Sequence, residues 1–86
     1  MDWDRLHYDL SQIPNQTIGT RLRLLRYERK ISLKQAADAI GTSSHAVQSW
    51  ETGRFEPGAF NLACLSDFYE VSIDYLVRGK KSEYKR

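Results

Sequence analysis

Helix-capping and helix-ending residues recur at short intervals along this chain, and between them there is room only for short helices. Ser32, Thr42, Ser43 and Ser72 can each accept from the unpaired amides that open a helix, while Gly41, Gly53 and Gly79 can adopt the left-handed conformation that closes one. The segments so delimited repeat their apolar residues at helical spacing, and no stretch sustains the alternation of a half-buried strand. The expected fold class is therefore all-α, with short helices around a single core, since 86 residues suffice for one compact domain and no more.

The first helix of this bundle is expected from about Gly19 to Arg29, with Ile18, Leu22, Leu25 and Arg26 inward and Arg21, Arg23 and Glu28 outward. Ser32 followed by Gln35 makes a capping box, so a second helix begins near Leu33, turns Ala36, Ala37 and Ile40 inward and stops at Gly41. Thr42 and Ser43 offer the cap of a third helix, which carries Val47 and Trp50 on one face and Ser44, His45, Gln48 and Ser49 on the other, and ends at Thr52 and Gly53. After a loop with Arg54 and Pro57, a fourth helix aligns Leu62, Leu65 and Phe68. Ser72 caps a fifth, stapled by Val71 and Leu76 and ended by Gly79. Trp50, Phe60, Phe68, Tyr69 and Tyr75 fall at helical spacings and are expected in the core, as is Cys64 among Leu62, Ala63 and Leu65.

Three regions follow: a leader over 1–17, a helical body over 18–79 and a basic tail over 80–86. The leader places Trp3, Leu6, Leu10 and Ile13 at helical spacing ahead of Pro14, which predicts an extra N-terminal amphipathic helix. Its apolar stripe needs cover, from the bundle or from a second copy. Asp2, Asp4 and Asp9 against Arg5 make the leader acidic, while the remainder, with twelve basic and eight acidic side chains, is basic and suits an anionic partner.

The leader lacks the basic start and apolar centre of a signal peptide, and the longest apolar run, Leu62 to Leu65, falls far short of the roughly 20 residues of a membrane span. A cytoplasmic location with no membrane partner is expected. One cysteine and two distant histidines have no metal-site spacing, and no nucleophile with its base and no phosphate-cradling glycine loop is present. No enzyme activity, cofactor, metal or small-molecule ligand is expected.

The second and third helices together follow a pattern with a physical reason at each position. Ala37 is small where the helices approach, Gly41 supplies a sharp turn, and Ile40, Val47 and Trp50 lock the crossing. A rigid pair results whose second member projects a polar face, with a shape that suits the major groove. The stretches AADAIGTSSHAVQSWETG (Ala36 to Gly53) and LACLSDFYEVSIDYLVRG (Leu62 to Gly79), in order and at this distance, resemble the Cro and repressor type of helix-turn-helix proteins of phages and bacteria, the Xre family.

The resemblance implies a lambda-repressor-like bundle of five helices whose third enters the major groove of double-stranded DNA, usually as a homodimer on a pseudo-palindromic site. It implies base contacts from Ser43, Ser44, His45, Gln48 and Ser49, and phosphate contacts from Ser32, Lys34, Thr52 and Arg54. It also implies a buried ion pair between Arg26 and Glu51. The function so implied is sequence-specific transcriptional regulation, repression above all.

Two positions depart from the family's habit: Leu33 stands where a phosphate-gripping Gln is common, and Lys30 where a turn Gly is common. The competing function is a protein-interaction module or antitoxin on the same fold. Against it stands the polar outer row of the third helix, where a protein-binding helix would show apolar anchors.

Overall fold

A computed structural model describes residues 17–79 as five helices: α1 (Ile18–Glu28), α2 (Leu33–Ile40), α3 (Ser44–Glu51), α4 (Ala59–Tyr69) and α5 (Ile73–Arg78). The expected leader helix and the basic tail lie outside the described residues. No strand occurs among the described residues, and no helix there is long and apolar enough to cross a membrane.

The punctuation works as the residue types require. Thr17, Ser32, Ser43 and Ser72 each accept a hydrogen bond from the third amide of the helix they open, and Thr17 with Thr20 and Ser32 with Gln35 complete reciprocal capping boxes. Gly41 and Gly79 close α2 and α5 in the left-handed conformation. Lys30 (φ 54°) and Glu70 (φ 57°) adopt it without being glycine, at a cost of about 1 kcal/mol each.

The core joins Leu22 and Leu25 of α1, Ala36 and Ala37 of α2, Val47 and Trp50 of α3, Leu65 and Tyr69 of α4 and Leu76 of α5. Ala36 and Ala37 are fully buried, so α2 and α3 can pack backbone to backbone. Gly19 permits a second close approach. A Cβ there would lie 2.5 Å from the Trp50 carbonyl oxygen and 2.6 Å from that of Glu51, so the start of α1 abuts the end of α3.

Three expectations are corrected. Arg21 faces inward, 3 % exposed, because its guanidinium caps the end of α5: Nε donates to the Leu76 carbonyl (2.8 Å) and Nη2 to that of Val77 (2.9 Å). Phe60, in the first turn of α4, is 77 % exposed and no part of the core, and Cys64 is only half-buried.

Candidate nucleic-acid interface

The outer surface of α3 is built by what holds its inner one. Val47 and Trp50 are buried against α1 and α2, and Glu51 at the helix end is clamped by Arg26. The clamp is bidentate, with Arg26 Nε to Glu51 Oε2 at 2.7 Å and Nη2 to Oε1 at 2.8 Å, and both side chains are about 2–3 % exposed. The third nitrogen, Nη1, donates to the Ile31 carbonyl at 3.0 Å, so one guanidinium ties α1, the turn before α2 and the end of α3. Burial by itself would lower the Arg26 pKa. The hydrogen bond and negative charge of Glu51 outweigh it, and the guanidinium is held above its usual value.

With its inner face fixed, α3 presents Ser43, His45 and Gln48 to solvent, with Ser44 half-buried beside them. The Ser43 hydroxyl accepts from the Ala46 amide at 3.1 Å, so its lone pairs are partly engaged in capping. The side chains of His45 and Gln48 carry no hydrogen bond among the described residues. Ser49 departs from the expected row: it is 6 % exposed and its hydroxyl donates back to the His45 carbonyl at 2.9 Å. The chain after α3 folds over it, since the amides of Arg54 and Phe55 both donate to the Ser49 carbonyl, at 3.0 and 3.2 Å. Ser49 therefore has no free face for a base edge.

The positions expected to meet phosphate lie at two places. At the start of α2, Ser32 is half-buried with its hydroxyl accepting from Gln35, and exposed Lys34 reaches Asp38 at 3.4 Å, a pair screened by water. Beyond α3, Thr52 and Arg54 are exposed. The Thr52 hydroxyl donates to the Ser49 carbonyl at 3.3 Å, and Arg54 has no ion-pair partner among the described residues. Arg54 is thus the more available charge. Sequence reasoning missed Gly19, whose lack of a side chain sets the seat of α3; its one signal was a glycine inside the first turn of an otherwise amphipathic helix.

A family model described as Helix-turn-helix matches residues 22–76. The chain belongs to the Xre-type helix-turn-helix family. Among its relatives in this family, repressor protein C2 of Salmonella phage P22 is 37 % identical over 70 residues, which are 79 % of this chain and 32 % of the repressor. The HTH-type transcriptional activator BcrR of Enterococcus faecalis is 33 % identical over 61 residues, 71 % of this chain and 30 % of the activator. The chain thus spans about a third of the length of these relatives. The crystal structure of the P22 c2 repressor in complex with a synthetic operator superposes with a TM-score of 0.74 at 35 % identity, covering 76 % of this chain and 98 % of that one. The helix-turn-helix unit itself comprises α2, the Gly41 turn and α3, with α1 bracing it through Arg26 and Gly19.

Proposed function

We propose that this helix-turn-helix protein binds double-stranded DNA sequence-specifically and regulates transcription, in the first place as a repressor. The carrying observation is the division of α3. Its inner face is locked by Val47, Trp50 and the Arg26–Glu51 clamp, while its outer face offers His45 and Gln48, hydrogen-bonding groups suited to base edges. Ser43 and Ser44 at its start complete the reading surface; Ser32, Lys34, Thr52 and Arg54 supply positioning contacts to phosphate. The repressor relative's structure with its operator supports this reading of α3. The activator among the relatives makes repression the first reading rather than the sole direction of control.

A homodimer on a two-fold site is part of the proposal, because a single two-turn helix reads few base pairs and two half-sites one helical turn apart double the contact. The protein acts as a binding protein in the cytoplasm, without catalysis. Selection of sites from random duplexes at a stated salt concentration tests the proposal. A two-fold motif with half-sites about 10 base pairs apart is expected. Failure to enrich any motif would put protein recognition, as in an antitoxin, in its place.

A further inference from the structure

Among the described residues four large apolar side chains stay exposed, and two of them, Ile73 (43 %) and Val77 (44 %), stand one turn apart on α5. Residues four apart share a helix face, so the two form one apolar stripe in contact with solvent. Beside it a groove of about 370 Å³ runs between α4 and α5, lined by Ala63, Asp67, Val71, Ile73 and Asp74. The groove is acidic. Asp67 has no ion-pair partner among the described residues, and Asp74 meets Arg78 at 3.0 Å in a pair open to water. The other end of α5 is basic, with Arg78 in its last turn. None of these residues belongs to the outer face of α3 or to the positions assigned to phosphate.

We propose that this face is the seam of the homodimer, with the α5 helices of two copies packed antiparallel across a two-fold axis and Arg78 of the partner subunit seated at Asp67. The proposal rests on the homodimer reading and names the surface it uses. A two-fold seam needs a patch complementary to itself, so that one residue meets a second and the second meets the first. The pattern of α5 supplies this. Laid antiparallel, Ile73 faces Val77 of the partner subunit, and the acidic end with Asp67 and Asp74 faces the basic end with Arg78, each contact occurring twice. Charge complementarity singles out a second copy, because a partner of one sign would satisfy one end of α5 and be repelled by the other. A helix of six residues is about 9 Å long, which puts the seam below the roughly 1,200 Å² of a standard interface and makes the dimer weak in free solution. Such a seam suits copies that meet on adjacent half-sites, where the duplex holds both at high effective concentration.

Sedimentation equilibrium and NMR spectra of the full 86-residue chain, without DNA and up to the millimolar range, compare wild type, Asp67→Arg, Arg78→Asp, the two reversals together and Val77→Lys. In wild type the amides of 73–78 are expected to shift as concentration rises. Each single reversal should weaken association about tenfold, and the two together should return it to within about threefold of wild type, because the pair is re-formed with its signs exchanged. Val77→Lys should abolish association while the dilute spectrum keeps the dispersion of the folded bundle. Should Arg78→Asp fray α5, Asp67→Arg and Val77→Lys carry the comparison. Concentration-dependent shifts confined to another face would overturn this seam and leave the homodimer standing. A wild type that stays monomeric in the millimolar range, or paired reversals that restore nothing in a folded chain, would overturn the seam whatever site selection shows of the DNA.

Discussion

Arg26 and Glu51 show at the scale of single residues how a polar pair can be both costly and necessary. Two charges taken out of water are tolerable only together, so Arg26→Ala or Glu51→Ala should each destabilise the fold by roughly 3 to 5 kcal/mol, whereas replacing both with Met and Leu should cost much less. Urea unfolding of the three variants checks this, and a single variant that unfolds with wild-type midpoint would contradict the buried clamp. On the opposite face of α3, Gln48→Ala and His45→Ala should each lose about 1 to 3 kcal/mol on the selected site and far less on scrambled DNA. Arg54→Ala should weaken both duplexes alike and flatten the salt dependence by about one counterion. Ser49→Ala should leave discrimination unchanged, since its hydroxyl is spent on the His45 carbonyl. Equal losses for Ser49→Ala and Gln48→Ala would show that α3 presents a different face.

Between elements, Arg21 of α1 and Arg29, the residue that caps the C-terminus of α1, act as caps for other helices. Arg21 satisfies the last carbonyls of α5, and Arg29 donates to the Tyr69 carbonyl at the end of α4 at 2.9 Å. These are the oxygens that a helix end leaves without internal partners, and a cation there also meets the negative end of the helix dipole. A six-residue helix such as α5 is unstable in isolation, so this tether matters most for it. Arg21→Met keeps the packed stem and removes the donors; we expect a loss of about 1.5 to 3 kcal/mol, with amides of 73–79 exchanging faster than those of α3. Exchange that rises uniformly over all five helices would instead mean that α5 is not a separate unit. The misreading of Arg21 from sequence has its cause here: its position on the edge of the apolar stripe of α1 is visible, but the carbonyls that draw it inward belong to a helix more than fifty residues away.

For the whole molecule, the buried phenol of Tyr69 links stability to high pH. Desolvation, reinforced by the charge of Glu51 and opposed by Arg26 and Arg29, raises its pKa to about 12. The unfolded chain ionises this phenol near its usual value of about 10. Stability from keeping it neutral is therefore complete below about pH 10 and is lost as pH rises from there toward 12, on the order of 2 kcal/mol in all. Thermal melts across that window should fall more steeply for wild type than for Tyr69→Phe; parallel curves would mean that the phenol reaches water.

What local sequence determined is the placement of the five described helices. Caps, capping boxes and left-handed closures act between residues three or four apart, so Ser32 with Gln35, Gly41, Ser43, Ser72 and Gly79 stand where their chemistry alone would put them. The inner face of each helix was legible for the same reason, since periodicity is a property of one segment. The Arg26–Glu51 clamp was legible only through family resemblance, because no local rule links residues 25 positions apart. Tertiary structure alone decided which residues at the margins of those faces are covered. Ser49 is closed off by a loop that folds back after α3, Arg21 is drawn in by the end of α5, Phe60 is left exposed, and Gly19 is required by the backbone of Trp50 and Glu51. A side chain's own helix fixes the direction in which it points, but burial depends on what a distant part of the chain places across from it.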